Sequence, residues 1–300
     1  MMIQQKCENE AEWLEARRAG LGASDAAALF DEGYDSKLSL YVKKLGIGED
    51  EPADQAMDWG HRLESKIAEW FAEVVAEERF VLEDLGRYTL CWSETVPSMF
   101  ATMDRLIWRN NEMVAVLEIK KVSAYLKDRW EKGPPRHVWI QVQQQLAVSG
   151  LLVGYVAALF DGNEALWWKV ERDDDFIAEL VAQHEAFMGR LARGEPPAPD
   201  GSEQSSKALK RMYPMQDPGL VIDLPGEVFA WDAQLLNVKE SLKELEAKKD
   251  ELENLIKASI GSAEIGVLAD GTRYSWKAQT RASYVVQEAT FRVLRRSKKG

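Results

Sequence analysis

Cysteine is scarce in this chain. There are two in 300 residues, Cys7 and Cys91, far apart and unpatterned. So few thiols argue against a disulfide framework and point to a reducing compartment. They also exclude an intrachain four-cysteine iron–sulfur cluster. Long apolar runs are missing as well: no segment approaches about 18 uninterrupted apolar residues, so no membrane span is expected. The N-terminus, MMIQQKCENEAEW, has no charged stretch followed by an apolar one and does not read as a secretory signal. Net positive charge is absent too, since 38 Lys and Arg stand against 50 Asp and Glu, a balance of −12. That argues against a protein that coats nucleic acid over its whole surface. It leaves room for an enzyme with a local basic track around an acidic, metal-filled site. Together these absences predict a cytoplasmic protein.

What is present suffices for a core: 46% hydrophobic residues and eleven tryptophans. Residues 8–46 read as short helices, one of them opened by Ser24 or Asp25. A longer helix follows, in which Trp59, Leu63, Ile67, Trp70, Phe71 and Val74 recur at helical spacing. Strand signals fill about 86–122, ending in MFATMDRLIW and MVAVLEIKKV joined by the polar turn RNNE. Pro134–Pro135 leads into a helix, HVWIQVQQQLAVSG. Two strands joined at Asp161–Gly162–Asn163 and a closing helix complete the unit. This order predicts one α/β domain over residues 1–193 with a central sheet. Residues 194–226, rich in Pro, Gly and Ser at their start, read as a linker. Residues 227–300 read as a long amphipathic helix, a coiled-coil candidate, then a small β element and a basic tail.

Asp104, Glu118 and Lys120 carry the chemistry. Val114, Val116, Glu118 and Lys120 share one parity, so a strand would point them to one face. A carboxylate and an amine two residues apart, beside an aspartate from the partner strand, suit metal-assisted phosphodiester hydrolysis. Two acids hold Mg²⁺, and the lysine positions or helps deprotonate the attacking water. A surface Glu–Lys pair on a sheet edge has the same local pattern. Other features fall beside it. Glu64 lies on the long helix. GLGASD sets glycines before a helix start, an anion site of backbone N–H groups and a hydroxyl, with Arg17 seven residues upstream of Ser24. Gln141 and Gln145, four apart, share a helix face. Tyr125, Arg129, Trp130 and Arg136 follow Lys120, where a nucleic-acid backbone would lie.

The order of these pieces, R-x6-S-D, WG-x3-E, D before a turn, E-x-K on a strand and Q-x-Q opening a helix, resembles the YqaJ-like viral recombinase family. That family includes phage lambda exonuclease and belongs to the PD-(D/E)xK nucleases. The resemblance covers roughly residues 10–192. It implies an α/β restriction-endonuclease-like core, a central mixed sheet flanked by helices. It implies that Asp104, Glu118 and Lys120 are the motif residues, that Gln141 completes the catalytic set and that Glu64 helps hold the metals. The Ile119 carbonyl would be a further oxygen ligand, and two Mg²⁺ ions, replaceable by Mn²⁺, are the implied cofactors. Arg17 and Ser24 match a 5′-phosphate anchor, with Arg18 the alternative to Arg17. Met103 stands where the motif has proline, and residues 200–300 have no counterpart to carry over.

The implied function is a 5′→3′ exonuclease on linear duplex DNA. It would leave 3′ single-stranded overhangs for phage-type recombination by strand annealing. The implied partners are double-stranded DNA ends, further copies in a trimeric homo-oligomer, and a single-strand annealing protein, in a bacterial host carrying a phage or prophage. Rival readings on the same residues are a structure-specific endonuclease, a restriction-type enzyme, and a non-catalytic DNA-binding or assembly module built around the long helix.

Overall fold

The computed structural model describes residues 2–48, 55–75, 80–283, 288 and 290–297. The chain divides into two compact units, Met1–Pro214 and Met215–Gly300. The first begins with β1 (Met2–Lys6), α1 (Glu10–Arg18), a 3-10 helix at Ala26–Phe30, α2 (Lys37–Lys44) and α3 (Gln55–Val74). Six strands and a crossover follow: β2 (Val81–Glu83), β3 (Thr89–Ser93), β4 (Phe100–Ala101), β5 (Arg105–Arg109), β6 (Glu112–Val122), a 3-10 helix at Ala124–Trp130, α4 (Arg136–Ser149) and β7 (Val153–Phe160). It closes with β8 (Glu164–Glu171), α5 (Asp174–Arg193) and α6 (Glu203–Met212).

Five strands form the central sheet in the order β2-β5-β6-β7-β8. β6 and β7 run parallel and the other neighbours antiparallel, so the sheet is mixed as expected. A parallel pair needs a crossover, and the 124–130 helix with α4 supplies it. Ala115, Leu117 and Ile119 of β6 pack with Ile67, Ala68 and Phe71 of α3. Val116 and Val122 belong to a larger core with Val142 and Leu146 of α4. The two-residue period of the strand therefore puts α3 on one face and α4 on the other. α4 can lie this close because Gly154 has no Cβ, which would sit 2.5 Å from Cγ1 of Val142.

One parity expectation fails. Val114 packs with the α3 cluster, away from Val116. The register slips between Ile107 and Trp108, from Ile107↔Ala115 to Trp108↔Met113, so Val114 is the extra residue of a bulge. The run 98–107 is also broken: Asp104 sits between β4 and β5 rather than within one continuous strand.

A second sheet, β1-β3-β4, carries the segment after α1. Leu21 donates its N–H to the carbonyl of Ser98 at 2.9 Å and accepts from Phe100 N–H at 3.1 Å. A Cβ on Gly20 would lie 2.1 Å from the Ser98 carbonyl oxygen, so only glycine admits this approach. β1 was not legible as a strand, because its residues MIQQK lie on an edge with almost no buried side.

The expected linker at 194–226 is in part a helix. α6 packs on α2, with Ser205 Oγ donating to Ser36 Oγ at 2.9 Å and Ala208 buried. The first unit accordingly extends to Pro214. The second unit holds α7 (Glu227–Ile260), 34 residues or about nine turns, and a hairpin of β9 (Ile265–Val267) and β10 (Arg273–Ser275). Of the strand-like run expected over residues 273–286, the strand stops at Ser275, and residues 284–286 lie outside the described residues. Among the described residues no helix is long and apolar enough to cross a membrane.

Candidate active site

Glu118 points from β6 toward α4 and is 2% exposed. A carboxylate so deep needs partners for both oxygens. Oε1 accepts from Lys120 Nζ at 2.6 Å and from Gln141 Nε2 at 2.7 Å. Oε2 accepts from Gln145 Nε2 at 2.6 Å. Gln141 closes the ring by accepting from Lys120 Nζ through Oε1 at 3.0 Å. The i, i+4 spacing of the two glutamines on α4 thus meets the i, i+2 spacing of the acid and lysine on β6.

Asp104 enters from the segment before β5. Its Oδ2 accepts the Ile119 backbone N–H at 2.7 Å. Its own carbonyl is held by Arg105, which also reaches Asp84 at 3.1 Å. Burial, then the Glu118 carboxylate, push the Asp104 carboxyl well above the usual carboxylate range; Lys120 opposes the rise and Glu64 adds to it. Burial works against the charge of Lys120, but Glu118 and Asp104 outweigh it and raise its pKa. Lys120 is therefore an ammonium here. Glu64 is on α3, its Oε1 2.8 Å from His61 Nδ1.

The oxygen donors Asp104, Glu118 and Glu64 suit a hard divalent cation. The strained ionisation of Asp104, buried among other acids, is what a bound cation would relieve. The donor set fits such an ion chemically. As the side chains stand, no three His, Cys, Asp or Glu among the described residues enclose one. Glu118 is engaged by Lys120 and the glutamines, and Glu64 by His61.

Arg17 and Ser24 do come together. Arg17 Nη2 donates to Ser24 Oγ at 3.2 Å, and its guanidinium lies over Trp13, 4.4 Å from the ring centre. Arg18 turns to Glu15 at 2.8 Å. Sequence reasoning missed the group behind them. Lys44, its side chain 6% exposed, donates to Asp25 Oδ2 at 2.8 Å and to the Arg17 carbonyl at 2.9 Å. Asp25 Oδ2 also accepts from Gly22 N–H at 3.0 Å. Burial disfavours the Asp25 carboxylate, but Lys44 and Arg17 outweigh it and lower its pKa.

Gln144 was missed too. It is fully buried and donates to the carbonyls of Leu21 and Phe100, both at 2.9 Å. α4 thereby touches the metal-binding candidates with Gln141 and Gln145 and the Ser24 segment with Gln144. The signal lay in QVQQQ: polar amides on a helix apolar around its whole circumference must find partners inside. Of the aromatic and basic residues after Lys120, Tyr125 is 91% exposed, Trp130 is core against Phe160 and Trp168, and Arg136 lies over Trp139 and Phe176.

A mixed sheet with an aspartate before one strand, E-x-K on its neighbour and helices on both faces defines a PD-(D/E)xK core. Among solved structures the chain is similar to an alkaline exonuclease, LHK-Exo, from Laribacter hongkongensis. The identity is 21% and the TM-score 0.51, covering 62% of this chain and 94% of that one. The structure of LHK-Exo in complex with dAMP matches at 22% identity and TM-score 0.52, covering 68% and 97%. The profile of the YqaJ-like viral recombinase domain matches residues 12–152. The uncharacterized protein YqaJ of Bacillus subtilis (strain 168) is 31% identical over 269 residues, 86% of this chain and 81% of that protein. The chain belongs to the YqaJ-like viral recombinase family. The match to the Bacillus protein is longer than the first unit, so that likeness reaches into the second unit, where no counterpart was expected.

Proposed function

We propose that this chain is a magnesium-dependent exonuclease that degrades one strand of linear duplex DNA from 5′ to 3′. It leaves 3′ single strands for annealing in phage-type recombination. The observation that supports this best is the convergence of Asp104, Glu118 and Lys120, tied together by Ile119 N–H and Gln141. Family membership and a fold shared with LHK-Exo, an alkaline exonuclease crystallised in complex with dAMP, support it independently.

In this reading Asp104, Glu118, the Ile119 carbonyl and Glu64 would hold two Mg²⁺, with Mn²⁺ as a substitute. When bound, the ions polarise the scissile phosphate and balance charge on the attacking and leaving oxygens. Lys120, protonated, donates to the attacking water and offsets negative charge growing on the phosphate. Gln141 keeps Lys120 and Glu118 in fixed relation, so that acid and ammonium approach the same phosphate. Arg17 and Ser24 grip the terminal 5′-phosphate, and Asp25 and Lys44 hold Arg17 in place. The same reading includes a trimeric homo-oligomer around the DNA and an annealing protein that receives the product strand.

The test is a linear duplex labelled separately at its 5′ and 3′ ends, incubated with Mg²⁺. Release of the 5′ label first, as mononucleotide, is expected. Early release of the 3′ label would overturn the polarity. Cleavage of a closed circle would replace the exonuclease with an endonuclease on the same site. No cleavage in any metal would leave a DNA-binding or assembly module.

A further inference from the structure

The second unit presents a surface that the nuclease chemistry leaves unused. From Leu235 the residues Val238, Leu242, Leu245, Lys249 and Leu252 follow at alternating steps of three and four along α7. The same steps reach back to Trp231 and on to Ile256. That is heptad spacing, the signature of a helix seam packed against another helix. No residue of α7 is buried; Val238 is 54% exposed and Leu245 66%. Such an apolar row requires a partner. Lys249 and the flanking charges decide which partner and in which direction.

We propose that α7 pairs with α7 of a second copy of this chain, antiparallel, as a two-fold coiled coil. In a parallel, in-register pair Lys249 would meet its own copy in the core, two like charges in the seam. Antiparallel pairing centred between Lys243 and Glu244 removes that layer. It sets Leu235 against Leu252, Val238 against Lys249 and Leu242 against Leu245, each twice by symmetry. The Lys249 stem then covers Val238 while its ammonium reaches solvent. Beside the seam, Lys239 meets Glu246 of the second copy, again twice, and such flanking pairs select orientation. A parallel pair would match Lys248 with Glu253 but keep the lysine layer. One antiparallel flank brings Asp232 toward Glu253. Arg296 already binds both Asp232 oxygens, at 2.7 and 2.9 Å, so that carboxylate is not a free negative charge.

The proposal concerns assembly and stands apart from the nuclease chemistry: the α7 pair joins two single chains, or two trimers where the trimeric reading of the proposed function holds, and the expected mass ratio is two in either case. It is tested on the full chain by light scattering and by engineered disulfides. The unsubstituted protein should have twice the mass of the Leu242→Asp, Leu245→Asp double variant. Activity per chain on a short duplex should be unchanged, because neither residue belongs to the site. With Lys239→Cys and Glu246→Cys together, mild oxidation should give a covalent dimer. Residues seven apart on one helix are about 10 Å apart, too far to bridge within a chain. Cys7 and Cys91 are buried and give no background. Ser241→Cys with Glu246→Cys, neighbours only in a parallel pair, should stay uncrosslinked. Equal masses for the two proteins would overturn the proposal whether or not the chain digests DNA. Crosslinking by the Ser241 pair alone would overturn the orientation.

Discussion

Ile119 donates its backbone N–H to Oδ2 of Asp104 at 2.7 Å, fastening the aspartate to the strand that carries Glu118 and Lys120. The register explains why they meet. Arg105 pairs with Leu117, and one further step puts Asp104 opposite Glu118. Opposed residues on an antiparallel pair point to the same face. The turn at Asn110–Asn111, with φ of 50° and 64°, would by itself set a register one residue different, as Trp108↔Met113 shows. The bulge at Val114 therefore aligns the two acids.

This geometry separates function from stability at Asp104. Its carboxyl pKa is raised by burial first and by Glu118 next, so the folded state disfavours the anion. The sign follows: with a folded pKa above the unfolded one, stability is full at low pH and falls as pH rises through the folded value. At neutral pH, Asp104→Asn should lower turnover by at least about 10²-fold, the scale for removing one electrostatic stabiliser of a transition state. It should nonetheless leave the melting temperature equal or higher, by roughly 2–4 °C for each kcal/mol relieved. Mg²⁺ should raise the melting temperature of the unsubstituted protein and not of the variant. Parallel turnover and melting curves with and without Mg²⁺ check this. A folded Asp104→Asn chain that still turns over would remove Asp104 from the site.

The boundary between the units can be tested by truncation. Ending the chain after Arg193 removes α6, exposes the Ala208 contact and strips Ser36 of its Ser205 partner. Ending it after Pro214 removes neither. The shorter chain should melt several degrees lower than the longer, since a lost buried hydrogen bond and packed helix together cost about 2 kcal/mol or more. Equal melting temperatures would return the boundary to the 194–226 segment.

Stability should also depend on one histidine. His184 is fully buried, its Nε2 2.9 Å from Ser98 Oγ, and burial drives its pKa down to about 4. A depressed histidine is neutral in the fold and charged in the unfolded chain below about pH 6.5. Its contribution is therefore full above about pH 6.5 and is lost as pH falls toward 4, at most about 3 kcal/mol in all. Urea midpoints from pH 7 to 4.5 should fall, and His184→Gln should flatten that slope. An unchanged slope in the variant would assign it to other groups.

Much of the site was legible because it obeys local periodicities. Glu118 and Lys120 share a strand face, Gln141 and Gln145 a helix face, and both pairs are visible in the chain. The bulge was not, since nothing in MVAVLEIKKV marks Val114 as the extra residue. The burial of Lys44 was equally hidden: a lysine in KLSLYVKK reads as a solvated helix face, and only tertiary packing places it between Asp25 and the Arg17 carbonyl. α6 was lost for a similar reason. Its sequence EQSSKALKRM is mostly polar, and the small residues Ser205 and Ala208 that fill the contact with α2 leave little trace in hydropathy.

The contact between Arg17 and Ser24 leads to the last prediction, which tests polarity. If the guanidinium, the hydroxyl and the neighbouring backbone N–H groups receive a terminal phosphate, duplex with 5′-phosphates should be digested faster than the same duplex with 5′-hydroxyls. Arg17→Ala should remove most of that preference. One charge-assisted hydrogen bond contributes about 1.5–3 kcal/mol, which corresponds to roughly a ten- to hundredfold change. Turnover on 5′-hydroxyl ends should change much less, because Arg17 is not among the residues that meet at Glu118 and Asp104. The preference should shrink as salt rises, since phosphate contacts release counterions. Lys44→Met should weaken it in the same direction by loosening the Arg17 carbonyl and leaving Asp25 free to compete for the guanidinium, which it already approaches at 3.9 Å. Initial rates on the two substrates at several salt concentrations supply the measurement. A chain indifferent to the 5′ group, or one digesting from 3′ ends, would leave the acid–lysine site intact and refute the phosphate pocket.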